Sequence, residues 1–352
     1  MKQDTVTADL QTIGLDLGDT RSTLCVVDPQ GRIVEVKSVS TTREALTLRF
    51  RRPRARVVME ACGQSNWISA LIEELGHEVY VVNPRQLHLI TRSVKKTDRN
   101  DARLLARLGR ADIGLLQPTH RRGLDCQAAR TVLNARRALV QTRTRLVNTI
   151  RSAAKSYGFK LRGCSSKTFA KLANTNLPQQ VRTLVQPLLD AILNLDQYIE
   201  RYNAEVERLG REHFPQTNVL RQIHGVGPQV ALAFVTTIEE PKRFARSRDV
   251  GPYLGLTPRR DQSGDSDPHL KISKHGDGST RSLLVGAATA IMRDTAPDTD
   301  LKRFGERIAG GTSRRDRGRA RIAVARKLSV VMHRLLLTSE VYEPLRHAQT
   351  AG

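Results

Sequence analysis

Aromatic residues are scarce in this 352-residue sequence, where Phe, Tyr and Trp together make up 4%. That scarcity argues against a surface built to stack single-stranded bases, which needs exposed rings. Cysteine is scarce too: Cys25, Cys62, Cys126 and Cys164 are widely spaced, form no paired metal motif, and fit a reduced protein better than a disulfide framework. Such spacing suits small thiols in a reducing compartment. The longest apolar stretch, around Leu283–Met292, falls well short of the ~20 residues a membrane span requires. The opening decapeptide MKQDTVTADL lacks the charged-then-apolar order of a secretory signal. A membrane protein and a secreted disulfide scaffold are thereby set aside, and a soluble, cytoplasmic protein is expected.

Acidic residues are the remaining deficit. There are 35 Asp and Glu against 58 Lys and Arg, a formal net charge of +23. A surplus of that size attracts polyanions and burdens a folded chain with self-repulsion. Phosphate contact is its usual use. Arg outnumbers Lys in most of the clusters, which favours bidentate phosphate recognition over simple point charge. At ~100–200 residues per domain the chain has room for two or three.

Along the chain, residues 11–17 and 22–28 read as strands across a tight polar turn, and Pro29-Gln30-Gly31 leads into a third strand at 32–39. A helix at 42–52, a strand at Ala55–Glu60, a helix at 64–75, a strand at 78–82 and a helix through Asp101–Arg110 follow. This is the element order of an RNase-H-like α/β domain, and also of each half of the actin and sugar-kinase superfamily. Residues 122–157 contain no Pro, and Val132, Leu139, Leu146 and Ile150 recur at heptad-like spacing. A second helical stretch at 179–212 carries Leu184, Leu188, Leu195, Tyr202, Val206 and Leu209. The pair reads as an antiparallel or dimerising helical arm, with 158–178 as a loop or hinge. A mainly helical part begins near Leu220, with an apolar helix at 281–292 and a basic stretch, RRDRGRARIAVARK, opening a terminal helix. The expected divisions are 1–115, 116–215, 216–340 and a tail at 341–352.

Four carboxylates stand out. Asp16 ends an apolar first strand, Glu60 ends the run Val57-Val58-Met59, and Asp98 and Asp101 lie three apart at a helix start, able to share one face. Any one of them would be equally at home as a strand-edge or helix-capping residue. Together, in this element order, they point to phosphoryl transfer assisted by two Mg²⁺ ions, which take carboxylate and water oxygens and need no His or Cys. The same opening supports a rival: Asp16-Leu-Gly-Asp-Thr20 followed by Cys25-Val-Val-Asp28 looks like an actin-type phosphate loop. Against it, no second copy of the motif occurs, and a small-molecule kinase has no use for +23.

Two further segments carry candidate chemistry. Ile223-His-Gly225-Val-Gly227-Pro resembles a helix-hairpin-helix turn, whose amides hold DNA phosphate without reading sequence, though a plain helix-helix turn has the same composition. The polar loop Thr257-Pro-Arg259-Arg260-Asp-Gln-Ser263-Gly-Asp-Ser266 sets serines beside two arginines, and Ser273 follows in Lys271-Ile-Ser-Lys274. Each serine would need activation to act as a nucleophile. Chemistry alone does not choose among Ser263, Ser266 and Ser273.

The segments IGLDLG, VVMEACG, VVNPRQ and KKTDRNDARLLA resemble the RuvC-like, DEDD-type transposases of the IS-one-ten insertion-sequence family. HGVGPQVALAFVTTI, FARSRDVGPYLGLTPRRDQSGDS and ISKHGDGSTRSLLVGAA resemble that family's C-terminal domain. The resemblance spans nearly the whole chain, with both motif sets in the family's order. It implies a DEDD set at Asp16, Glu60, Asp98 and Asp101 holding Mg²⁺, and a catalytic serine at Ser263. It also implies attack on a DNA phosphodiester through a phosphoserine intermediate, assembly as dimers or tetramers through the arm, and a bridge RNA that pairs with donor and target DNA. Base pairing would then choose the sequence while the protein holds backbones. Arg259, Arg260 and Lys274, with the Gly225 and Gly227 amides, are the candidate phosphate contacts. A nucleoid-associated location in a prokaryote would follow. The alternatives are a metal-only nuclease or junction resolvase, and a non-enzymatic nucleic-acid scaffold.

Overall fold

The computed structural model describes residues 10–83, 97–116, 118–120, 122–259, 262, 270–310 and 313–346. They fall into two units, Met1–Arg122 and Gly123–Gly352.

The first unit is built on a five-stranded sheet. Its strands are β1 (Thr12–Asp16), β2 (Arg21–Val27), β3 (Ile33–Ser40), β4 (Arg56–Glu60) and β5 (Glu78–Val82), in the order β3-β2-β1-β4-β5. β1, β2 and β3 are antiparallel neighbours, while β4 runs parallel to both β1 and β5. The central strands are apolar on both faces, as a sheet covered on two sides requires. β3 is largely exposed and carries Glu35 and Lys37, charges that discourage edge-to-edge pairing.

Side-chain alternation divides the sheet cleanly. Ile13, Leu15, Val57 and Met59 point to one face, where they pack with residues of α1 (Arg43–Phe50) and α2 (Ser65–Glu74). Val58, Val82, Cys25 and Val27 point to the other, against Ala102, Leu105 and Ala106 of α3 (Asp98–Ala111). The last helix thus starts at Asp98, within a turn of its sequence-predicted start.

The second unit opens with two long helices, α4 (Leu124–Ser156) and α6 (Gln179–Glu212), joined through a short α5 (Phe169–Asn176). α5 interrupts the segment predicted as loop because Phe169, Ala170 and Ala173 are buried against the long pair. The side chains of α4 that turn fully inward are Cys126, Ala129, Arg143, Val147, Ile150 and Ala154, while Leu139 and Leu146 are only half-buried. On α6 the inward stripe is Val181, Val185, Leu189, Ile192, Ile199, Val206 and Leu209, and Leu184 is left 64% exposed. The heptad reading therefore found both helices and part of their buried face, Ile150, Val206 and Leu209, while Leu184 turns outward and Leu139 and Leu146 lie at its margin.

Two apolar cores hold this unit. One gathers Val147, Ile150, Phe169, Val185 and Ile192 toward the far end of the pair. The other joins Ala129 and Val206 to the later helices: α7 (Thr217–Leu220), α8 (Pro228–Ile238), α9 (Val250–Tyr253), α10 (Gly278–Ile291), α11 (Asp300–Ala309) and α12 (Arg314–Thr338). Between the cores the helix pair is sealed by polar contacts. Arg143 pairs with Asp196 at 2.5 Å, and Arg136 donates to Asn203 Oδ1 at 2.6 Å. No described helix is long and apolar enough to cross a membrane.

Candidate active site

Close approach of α3 to the sheet sets the position of the carboxylates. A Cβ on Gly14 would lie 2.1 Å from the Ala102 carbonyl oxygen and 2.4 Å from the Ala106 amide nitrogen. A Cβ on Gly109 would lie 2.4 Å from Val58 Cγ2 and 3.3 Å from the Thr12 methyl. Helix and strand therefore touch backbone to backbone, and they run in opposite directions. A strand advances ~3.3 Å per residue and a helix ~1.5 Å, so two residues onward from Gly14 match about four residues back from Ala102. Asp16 accordingly sits level with the Asp98–Asp101 turn.

Asp16 and Glu60 also share a face. Gly14 and Val58 both face α3, and each carboxylate lies two residues further along its strand. The parallel register pairs Leu15 with Met59, which makes Asp16 and Glu60 the next neighbours at the strand ends. Both are half-buried. Asp98 is exposed and Asp101 half-buried in the first turn of α3, where the helix dipole favours negative charge. Thr97 caps that turn, its Oγ1 accepting the Asn100 N–H at 3.3 Å. The four carboxylates are thus brought to one edge of the unit. Their oxygen-only chemistry suits Mg²⁺. Among the described residues no group of three or more His, Cys, Asp and Glu side chains converges on a point. Beneath α3, Cys25 is buried, and burial pushes its thiol above the ordinary value despite Arg103 and Arg107 nearby.

The actin-type reading of the β1–β2 turn finds a structural explanation instead. A Cβ on Gly18 would strike the Arg21 carbonyl oxygen at 2.2 Å, and the Gly18 carbonyl accepts the Thr41 hydroxyl at 2.9 Å. The glycine closes a tight turn. Among the described residues of the second unit there is one isolated bridge, Pro258 with Ile272, and no second sheet of the kind that reading needs.

That bridge belongs to a short backbone ribbon. The Arg259 N–H donates to the Lys271 carbonyl at 3.0 Å, Ser273 N–H to Thr257 at 2.8 Å, and Lys274 N–H to Gly255 at 3.2 Å. The strands are too close for side chains at two positions: a Cβ on Gly255 would lie 2.2 Å from the His275 oxygen, and one on Gly276 2.0 Å from the Tyr253 oxygen. Both glycines have positive φ, as does Lys274 at 55°. Arg281 fastens the ribbon to α10 by donating to the Leu254 and His275 carbonyls, each at 2.9 Å. Arg259 and Lys274 are exposed on it. Ser273 is half-buried within it, its Oγ accepting the His275 N–H at 3.4 Å. Arg260, Ser263 and Ser266 lie outside the described residues.

In the Gly-Val-Gly turn the two glycines do different work. Gly225, at φ 84°, packs against α10, where a Cβ would come within 2.9 Å of the Ala287 oxygen. Gly227 caps α8 ahead of Pro228 with open space around it.

Sequence reasoning overlooked one polar cluster. Asp277 caps α10 by accepting the Thr280 N–H at 2.7 Å and pairs with Arg130 of α4. Arg130 also donates to Thr237 Oγ1 at 2.7 Å, and that hydroxyl meets Thr280 Oγ1 at 2.8 Å. Burial alone would raise the Asp277 carboxyl, yet the Thr280 amide and Arg130 hold it below its ordinary value. The Asp-Gly-Ser-Thr pattern before an apolar helix is a legible capping signal. Its partner 147 residues away is not.

Comparison with known proteins matches two successive segments of the chain, the first running from the sheet through the first long helix of the second unit. Residues 13–159 match a DEDD-type transposase family, and residues 217–302 match the family described as Transposase IS116/IS110/IS902. The transposase for insertion sequence element IS1111A of Coxiella burnetii is 28% identical over 341 residues, which cover 95% of this chain and 92% of that protein. A probable family 20 transposase of Pseudomonas aeruginosa is 26% identical over 345 residues, 96% and 99% of the two chains. The transposase for element IS1328 of Yersinia enterocolitica is 26% identical over 322 residues, 90% and 94% of the two. A strongly basic chain with both matched segments in order is a transposase, and its substrate is DNA. It belongs to the IS110 family of insertion-sequence transposases.

Proposed function

We propose that this transposase cuts and rejoins DNA by attack of Ser263 on a backbone phosphodiester, assisted by Mg²⁺ at Asp16, Glu60, Asp98 and Asp101. The observation that carries the reading is the backbone contact at Gly14, which sets the start of α3 level with Asp16 and Glu60. The first unit is read as an RNase-H-like, RuvC-like domain. Three antiparallel strands followed by two parallel ones, in the order β3-β2-β1-β4-β5, support that assignment. Residues 116–215 are read as an arm that joins copies into dimers or tetramers, 216–340 as the serine-bearing domain, and 341–352 as a tail.

In the proposed reaction the Ser263 hydroxyl loses its proton as Oγ bonds to phosphorus, and one ester oxygen of the DNA strand departs and is protonated. The phosphorus remains a diester, so a hydroxyl of another strand can attack it, restore a DNA linkage and release the serine. Bound Mg²⁺ would supply positive charge to balance the crowded phosphoryl oxygens. Arg259, Arg260, Lys274 and the Gly225 and Gly227 amides are assigned to backbone phosphates, and a bridge RNA to site selection.

A recombination assay with donor and target plasmids tests the reading. Ser263→Ala and Asp16→Ala should each lower product about a thousandfold or more, the scale of losing a nucleophile or its electrostatic support. Only wild type should yield a covalent protein–DNA adduct. Normal recombination by Ser263→Ala would leave a metal-only nuclease. Normal recombination by both variants would leave a scaffold.

A further inference from the structure

The aromatic residues of this chain are few but not evenly placed. Among the described residues the exposed rings are Tyr157 (53%), Phe159 (42%) and Tyr198 (51%). Two of these three sit within three residues of each other, where α4 ends and the chain turns back along the helix pair. The turn has a defined backbone. Gly158 adopts φ 82°, its N–H donates to the Lys155 carbonyl at 2.9 Å, and the Phe159 N–H reaches the Ala154 carbonyl at 2.9 Å. This is a Schellman closure, which commonly tucks the residue after the glycine against the helix. Here Phe159 stays out, while Leu161 and Phe169 take the buried places.

The chain beyond the turn is fastened as well. Arg151 donates to the Leu161 and Arg162 carbonyls, each at 3.1 Å, and its guanidinium lies 5.1 Å from the Phe169 ring centroid. The rings are therefore displayed on a braced turn. Along this stretch of the sequence the charge has one sign. No Asp or Glu occurs anywhere between Asp125 and Asp190, and Lys155, Lys160 and Arg162 are all exposed.

We propose that this end of the arm binds unpaired DNA, its bases stacking on Tyr157 and Phe159 and its phosphates meeting Lys155, Lys160 and Arg162. Exposed rings set among cations are the recognition chemistry of single strands, because every base has a face to stack and every linkage a charge. A duplex would use the cations and leave the rings idle. Unpaired DNA is the occupant favoured here because DNA is a transposase's substrate and its strands must be opened to be exchanged. The assignment is independent of the Ser263 chemistry and of any guide RNA.

The test measures fluorescence anisotropy of the full-length protein with a labelled 20-nucleotide DNA strand, the same sequence as RNA, and the DNA duplex, at one fixed salt concentration. Tyr157→Ala/Phe159→Ala should weaken binding of the DNA strand about tenfold or more and of the duplex less than about twofold. Tyr157→Phe/Phe159→Tyr should bind like wild type. Both rings are exposed, and equal melting temperatures would confirm that folding is untouched. An unchanged affinity for the DNA strand, or an equal loss on strand and duplex, would overturn the proposal. A loss confined to the RNA strand would overturn the choice of DNA.

Discussion

The carboxylate edge of the first unit and the ribbon of the second are held in place by different kinds of contact. At the edge, regular elements touch where side chains are missing: Gly14 and Gly109 let α3 lie directly on β1 and β4, and the acidic residues follow from strand alternation and helix pitch. In the ribbon, glycines with positive φ let two irregular strands meet, and charged side chains from elsewhere in the unit tie them down. The Gly14 contact of the first arrangement depends on shape. The second depends partly on ionisation. Each should fail under a different perturbation.

The largest expected effect is Gly14→Ala. The added methyl would meet backbone atoms of α3 at 2.1 and 2.4 Å, and neither can rotate away. Overpacking of this kind should destabilise the first unit by about 3 kcal/mol, and displacement of the Asp98–Asp101 turn should abolish recombination. Chemical denaturation monitored at Trp67, which lies in this unit, measures the first effect. A variant that keeps both stability and activity would show that the close contact does not place the site.

An intermediate effect is expected at the clasp beside the ribbon. Asp277→Asn retains a capping side chain but loses the charge facing Arg130, which should cost about 2 kcal/mol at neutral pH, as for a hydrogen bond to a charged group. The folded carboxyl titrates below its ordinary value of 3.8, so its stabilisation is complete above that value and is lost as pH falls through the folded pKa. Wild type and Asp277→Asn should differ by a constant amount from pH 7 down to about 5 and converge below pH 4. Urea midpoints across that range give the answer. A gap that widens toward low pH would mean the carboxylate is not what Arg130 holds.

The contrast also explains what could be read from residues alone. Apolar runs, turn residues and capping patterns are local, so the five strands and the main helices were legible, as were the strand-end positions of Asp16 and Glu60 and the helix-start positions of Asp98 and Asp101. The inward face of the helix pair was less so. Arg143 occupies a buried position because Asp196 meets it there, and a heptad count awards that place to leucine. The Arg130–Asp277 clasp joins residues far apart in sequence, which no local pattern specifies. The aromatic count is limited for a related reason: composition records how many rings there are, and not that Tyr157 and Phe159 are exposed side by side.

The smallest effect would locate the α3 start most finely. Thr97 and Thr42 are matched helix caps in the same unit, each accepting a backbone N–H at 3.3 Å, one at the carboxylate edge and one at the start of α1. Removing either hydroxyl should cost about 1 kcal/mol, the usual loss for a threonine cap. The two variants should part in their response to Mg²⁺. On the proposed reading added Mg²⁺ should raise the melting temperature of wild type, and Thr42→Ala should keep that rise in full. Thr97→Ala should lose part of that rise, because Asp98 and Asp101 occupy the turn the cap organises, and Thr97→Ser should restore it. If both alanine variants respond to Mg²⁺ alike, the start of α3 is only a well-capped helix, and Asp16 with Glu60 would have to hold the metal without it.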